Sequence, residues 1–406
     1  MNAWRARGTE RLVYSPVDST PMTRSDARSL RPKLLFLIAE DWHFWSHRLP
    51  LARAAKAANF DVVVATRVTD HAARITAEGF KLIPIHLSRR STNPLRELGS
   101  IGELVRVYRD EKPDIVHHVT VKPVLYGSIA ARLSGVGATI NALTGLGYLF
   151  SSNRLKAKAL RPFVAGAYGL ALNRKSSSLI LQNPDDAALL RSLGVVRDTT
   201  RCTIIRGSGV DMDAHPVRPE PEGVPLAILP SRMIWDKGVG EFVEAARRLK
   251  AKGVAARFAL VGASDPDNPV AIPEAQLRAW QDEGAVEWWG HRKDMPEVLA
   301  SAHVVCLPSS YGEGVPRVLI EAACSARPIV TTDNPGCREI VRDEDNGLLV
   351  PVHDVPRLAV ALERLLTDPA LRARMGARGR ERVASEFRSE LVIEATLKLY
   401  RELLSA

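Results

Sequence analysis

HVVCLPSSYGEGVPRVLIEA, residues 303–322, packs an apolar run, a glycine turn and a helix start into one short stretch. The run VVCLP has strand length. Gly312 and Gly314 then flank Glu313, and Pro316 stands where a first helical turn begins, a position at which its missing N–H costs nothing. Free backbone N–H groups and the positive end of the helix converge on that turn, which makes it a site for an anion. Glu321 follows Glu313 by eight positions, so one carboxylate sits on the loop and the other lies more than a helical turn further in. Ligands of open parallel sheets gather outside the carboxyl ends of the strands, where a strand–turn–helix unit of this kind presents its loop.

Outward from this unit the same rhythm repeats. Towards the N-terminus lie PLAILPS (225–231), a helix over 239–253, RFALVG (257–262), a helix over 274–284, AVEWWG (285–290) and a helix over 295–302. A separate series starts at KLLFLIA (33–39) and runs through DVVVAT (61–66), KLIPIHL (81–87), DIVHHV (114–119), ATINALT (138–144) and SSLILQN (177–183), with helix patterns between most of them. Short apolar strands alternating with helices imply parallel sheets covered on both faces. The fold class expected is therefore α/β, with two doubly wound, Rossmann-like parallel-sheet domains facing each other across a cleft. Residues 1–31, polar and arginine-rich, read as a loose tail. The domains are placed at 32–210 and 225–385, joined by a Gly- and Pro-rich linker at 211–224, and a last helix at 386–406 is expected to pack back on the first domain.

The chain has 406 residues, 46% hydrophobic and 25% charged, which excludes a disordered chain. No apolar run approaches the ~20 residues of a membrane-spanning helix. The N-terminus lacks the apolar core of a secretory signal, and Cys202, Cys306, Cys324 and Cys337 form no C-x-x-C pair, so a cytoplasmic protein with reduced, packed thiols is expected. Charge is uneven: residues 1–200 carry 29 basic against 16 acidic side chains, and residues 201–406 carry 27 against 30. The first half therefore faces something anionic. Within it, residues 153–175 place Arg154, Lys156, Lys158, Arg161, Arg174 and Lys175 around an apolar centre, which fits either a peripheral anchor on an anionic membrane or a helix with a solvated basic face. Neither an RNA-binding module nor a helix-turn-helix pattern is present, so nucleic acid is not the expected partner.

SRMIWDKG (231–238) ends the first strand of the second domain, and its Arg232 and Lys237 can neutralise a diphosphate as it leaves. Three D-x-D triplets, Asp211/Asp213, Asp265/Asp267 and Asp343/Asp345, lie in loops without further ligands, too few for a hard cation, so no metal is expected.

EGVPRVLIE, RMIWDK and the two-sheet layout together resemble the family 4 retaining glycosyltransferases of GT-B architecture, over about residues 33–404. The first half, with SHRLPLA (46–52), HHVTVKPVLYG (117–127) and NALTGLGYLF (141–150), is similar to bacterial members that extend polysaccharide or lipid-linked glycans. The resemblance implies that the first domain binds the acceptor and the second a nucleotide sugar. By the same resemblance Arg232 and Lys237 hold the diphosphate, with the backbone of Gly314, Val315 and Pro316. Glu321 takes the ribose hydroxyls, Glu313 the transferred sugar, and the segment around His291 and Arg292 the base. His117 and His118, placed at a strand end, are candidates for a catalytic contact with the sugar, while packing or hydrogen bonding accounts for such histidines equally well. Lys122 is a candidate acceptor or phosphate contact. Gly145 and Gly147 let the backbone approach substrate, and Trp42 and Trp45 can touch acceptor or membrane. The family's usual glycine-rich loop after the first strand is replaced here by AEDWHFWSHRLPLA (39–52). The activity implied is metal-independent transfer of a hexose or N-acetylhexosamine from a nucleotide sugar, UDP-linked by expectation, with retention of configuration and no cofactor. A nucleotide-sugar 2-epimerase and an inactive binding module share the layout and remain alternatives.

Overall fold

The computed structural model describes residues 31–87, 93–146, 155–266, 268–310 and 312–405. Gly147, Arg154, Asp267 and all but the last residue of the expected N-terminal tail lie outside them, as do the side chains of Lys156 and Lys158. Seven strands form the first sheet: β1 (Lys33–Glu40), β2 (Asp61–Arg67), β3 (Lys81–Pro84), β4 (Ile115–Val119), β5 (Ala138–Ala142), β6 (Ser177–Leu181) and β7 (Arg201–Ile204). All pairings are parallel, in the order β3-β2-β1-β4-β5-β6-β7. The second sheet is parallel too, in the order β10-β9-β8-β11-β12-β13, from β8 (Leu226–Pro230), β9 (Arg257–Val261), β10 (Glu287–Trp288), β11 (Val304–Leu307), β12 (Ile329–Thr332) and β13 (Gly347–Val350). Strand order reverses between β1 and β4 in one sheet and between β8 and β11 in the other. Each reversal leaves a crevice at the carboxyl ends, where two crossover connections diverge to opposite faces.

The strands that flank these crevices lie deep in their sheets. All but the first residue of β1 and all of β4, β8 and β11 are buried, as continuous hydrophobic runs in doubly covered sheets require. The helix Ser389–Leu404 belongs to the first domain: Val392, Leu397, Tyr400 and Leu403 share one apolar cluster with Leu34, Phe36 and Ile140. Where the chain crosses between domains its two passes are hydrogen-bonded, Val210 N–H to Phe387 O at 3.0 Å and Ser389 N–H to Val210 O at 3.0 Å.

Residues 211–224, expected as the linker, are fastened to the second domain. Buried Arg372 clamps Glu220 at 2.8 Å, Arg327 donates to Pro219 O at 3.2 Å, and His303 Nε2 lies 2.9 Å from Pro221 O. Gly and Pro suit any irregular path, and here partners a hundred residues away fix that path; the crossover itself is confined to the paired strands at Val210 and Ser389. Sequence reading also missed the helix Pro184–Ser192, whose start is signalled by Asn183, Pro184 and Asp186: the Asn183 side chain accepts from Asp186 N–H at 2.7 Å.

Candidate active site

The loops that leave β8 and β11 meet in the second crevice. After β8 a short 3₁₀ turn, Trp235–Lys237, aims the Lys237 ammonium at the Glu313 carboxylate, and the two form an ion pair that is nearly closed to solvent. Glu313 also accepts from Ser309 Oγ–H at 2.9 Å, and Ser310 N–H donates to Asp236 O at 3.0 Å. The carboxylate is thus held by a cation and a hydroxyl on a fixed loop. Three residues beyond Glu313, Pro316 is the N-cap of the helix Arg317–Cys324, one position outside the turn expected for it. Glu321, buried in that helix, is oriented by Arg317 Nε at 2.7 Å. Arg232, half-exposed at the end of β8, pairs with Asp265 at 2.9 Å. Three cations, three carboxylates and the N-terminus of one helix are therefore grouped around the loops that follow β8, β9 and β11.

The first domain abuts this loop directly. Val315 N–H donates to Gln182 Oε1 at 2.7 Å, across the cleft. Gly145, at φ +124°, approaches so closely that a Cβ would stand 2.7 Å from both Gly312 O and Gly314 N. Its close approach is thus to the opposite loop. At Gly314 a Cβ would overlap Gln182 Oε1 and come within 2.6 Å of Thr144 O. Gly314→Ala is expected to force the domains apart. Overpacking of this kind costs about 1–3 kcal/mol, or about 10- to 100-fold in kcat/KM, with the thermal midpoint changed by a few degrees at most. Steady-state kinetics beside a melting curve check it, and a normal kcat/KM would show that this contact is not kept during turnover.

Comparison with known proteins fits both halves. Residues 225–368 match the family model described as "Glycosyl transferases group 1", and residues 33–183 match "Glycosyl transferase 4-like". The chain belongs to the group 1, family 4-like glycosyltransferases. It is similar to the N,N'-diacetylbacillosaminyl-diphospho-undecaprenol alpha-1,3-N-acetylgalactosaminyltransferase of Campylobacter jejuni, with 27% identity over 375 residues, 89% of this chain and 96% of that one. In fold it resembles sucrose-phosphate synthase of Thermosynechococcus elongatus, with a TM-score of 0.75, 20% identity and coverage of 92% and 100% of the two chains. Anabaena Alr3699/HepE, solved in complex with UDP and glucose, superimposes with a TM-score of 0.74 at 16% identity, covering 91% and 100%. These are GT-B neighbours.

On the first-domain side of this glycosyltransferase, the two histidines are not at a strand end. They occupy the third and fourth positions of β4, and both are buried. His118 is enclosed by its own network: Nδ1 lies 2.7 Å from Asn141 Oδ1, Nε2 lies 3.1 Å from Tyr108 Oη, and burial pulls its pKa down to about 4. It is a neutral core residue, and with both ring nitrogens engaged it has none left for a sugar. His117 stacks on Phe36, and its Nδ1 lies 2.6 Å from Tyr400 Oη in the C-terminal helix; burial, then Arg48 and His118, hold it far below the usual imidazole range. A strand buried on both faces shows no alternation by which sequence could tell core from cleft.

Lys122 opens the helix Val121–Ser134 beside the β1/β4 crevice and is 3.1 Å from Glu97. Trp42 is exposed, whereas Trp45 lies under Arg74, whose guanidinium is 4.7 Å from a ring centroid. Both stand on the helix Asp41–His47, which takes the place of the family's glycine-rich loop. That helix brings in a pair unnoticed in the sequence, His43 and His47, one turn apart with ring centroids 4.6 Å from each other. Their i, i+4 spacing is the signal that could have found them. Desolvation first, then His43, Arg317 and Arg48, hold His47 well below the ordinary imidazole range, so it is neutral.

His291 and Arg292 are exposed beyond β10, with Arg292 paired to Asp294. Of the acidic triplets, Asp211 caps its own turn at Asp213 N–H, Asp265 holds Arg232, Asp343 accepts from Leu349 N–H, and Asp345 pairs with Arg378. Among the described residues no three His, Cys, Asp or Glu side chains are grouped for a metal, and all four cysteines are free.

Proposed function

We propose that this glycosyltransferase moves a sugar from a UDP-sugar to a lipid-linked or polysaccharide acceptor, with retention of configuration and without a metal ion. The observation that carries the reading is the Lys237–Glu313–Ser309 cluster on the loop that leads into the helix Arg317–Cys324. In this scheme the donor diphosphate lies against the Gly314–Pro316 backbone, with Arg232 and Lys237 neutralising charge as the anomeric C–O bond breaks. Glu313 binds the sugar hydroxyls, and Glu321 binds the ribose. The acceptor oxygen attacks on the face that the phosphate leaves, and a phosphate oxygen takes its proton, so no enzyme nucleophile is needed. The lipid-linked substrate in the name of the Campylobacter relative and the UDP in the Alr3699/HepE complex support the choice of acceptor and donor. A screen of UDP-sugars read by UDP release, followed by NMR of the product's anomeric proton, tests it. Release of UDP with an inverted product would refute retention, and an epimer without UDP release would mean an isomerase.

Membrane attachment is part of the proposal. No helix among the described residues is long and apolar enough to cross a membrane, so access to a lipid-linked acceptor rests on a peripheral contact at the inner face. The helix Leu155–Leu172 within the basic first domain is the segment proposed for it. Binding to anionic vesicles should fall steeply as salt rises. Replacing Lys156, Lys158 and Arg161 with Gln should weaken that binding and slow transfer to a lipid-linked acceptor, yet leave donor KM unchanged. If the wild type ignores such vesicles at low salt, a soluble acceptor is indicated.

A further inference from the structure

Each cation grouped around the donor loops stands in a pair with a carboxylate. Lys237 meets Glu313, Arg317 Nε lies 2.7 Å from Glu321, and Arg232 Nη1 lies 2.9 Å from Asp265. Their charges therefore cancel pair by pair before any ligand arrives. Two of the three carboxylates have tasks in the scheme above, Glu313 on the sugar and Glu321 on the ribose. Asp265 has none, and it sets a negative charge beside a cation assigned to the diphosphate.

The backbone fixes the place of that charge. Asp265 lies on the loop after β9, which is bonded to the turn after β8 on both sides of it. Met233 N–H donates to Ala263 O at 3.0 Å, Trp235 N–H to Val270 O at 3.0 Å, and Ile272 N–H to Met233 O at 2.9 Å. At Gly262 the two segments are so close that a Cβ would stand 1.8 Å from Ser231 O. A diphosphate that displaces the carboxylate from Arg232 therefore still finds it within a side chain's length, in a partly solvated place where charges act over several ångströms.

The reaction changes the charge that faces Asp265. In a UDP-sugar the β-phosphate is esterified and carries one negative charge. When the anomeric C–O bond breaks, that phosphate keeps the electron pair and takes the acceptor's proton, which it loses to water above about pH 6. UDP thus carries one negative charge more than the donor brought. A fixed carboxylate repels the product more strongly than the donor.

We propose that Asp265 is a specificity-determining residue that biases the site towards the esterified donor and against UDP, on the reading that places the diphosphate at Arg232. Its effect is to limit inhibition by the product.

Binding to the full chain is measured at about pH 8, where the terminal phosphate of UDP carries its second charge, in buffer free of divalent cations. The two probes are UDP and UDP methylated on its terminal phosphate, which has the donor's charge without its sugar. Asp265→Asn should tighten UDP by about threefold relative to the methyl ester, the effect of one unit charge at several ångströms in a half-solvated site. Any loss of Arg232 positioning weakens both probes alike and cancels in the ratio of their Kd values. Asp265→Glu keeps the charge and should keep the wild-type ratio. A ratio unchanged in Asp265→Asn, or shifted equally in Asp265→Glu, overturns the inference and leaves the diphosphate placement standing. Arg232→Ala checks that placement and should weaken UDP binding by about 10-fold or more. A normal UDP affinity in Arg232→Ala, or no UDP binding by the wild type, overturns both.

Discussion

Arg232→Ala combined with Lys237→Ala is expected to abolish transfer, to below about 10⁻³ of the wild-type rate, the loss that follows when preorganised charge at a leaving group is removed. The two cations come from one strand-end turn after β8, and in the proposed scheme no metal ion shares their charge. Single substitutions should each leave measurable activity, since the backbone N–H groups at the start of the helix Arg317–Cys324 remain. The double variant must stay folded for the result to count. Arg232 and Asp265 are both partly exposed, and an exposed pair contributes only about 0–1 kcal/mol; the Lys237–Glu313 pair is more enclosed, so a modest fall in Tm is expected from that side. The companion measurement is chelation: wild-type rates should be the same with and without EDTA. Activity that vanishes with chelator and returns with Mn²⁺ or Mg²⁺ would return attention to Asp211/Asp213, Asp265/Asp267 and Asp343/Asp345.

Glu313→Gln should lower kcat by about 10²-fold or more, with donor KM little changed, because the carboxylate's hydrogen bond to the sugar strengthens only as charge develops at the anomeric carbon. The amide keeps the shape and can still accept from Ser309 Oγ–H. It cannot pair with Lys237, so some loss belongs to a misplaced ammonium. Glu313→Gln in a Lys237→Met background separates the two: if Glu313 acts only by positioning Lys237, the second substitution adds nothing, whereas an additional loss assigns the carboxylate its own contact with the sugar. A near-normal kcat for Glu313→Gln would remove it from the mechanism.

Much of the site was legible because it is local. The run from Ser309 to Glu321 carries its own strand end, glycines and helix start, and the turn from Arg232 to Lys237 follows the first strand of its sheet. The helix Asp41–His47 escaped because its motif did not match the loop usual at that position. The anchoring of the linker over 211–224 was not legible for a different reason: its partners Arg327 and Arg372 are more than a hundred positions away and look like ordinary basic residues.

By itself the amino-acid sequence determined two parallel α/β sheets and the strand–turn–helix units that follow β8 and β11, since strand–helix alternation and turn chemistry are set by neighbours within a few positions. The tertiary structure decided which side chains meet. Lys237 reaches Glu313 over 76 positions, Gln182 holds Val315 over 133, and His117 reaches Tyr400 over 283. It also decided that His118 is core. In strands covered on both faces, and at the seam of two domains, burial and partners depend on what the rest of the chain places opposite, and no local pattern encodes that.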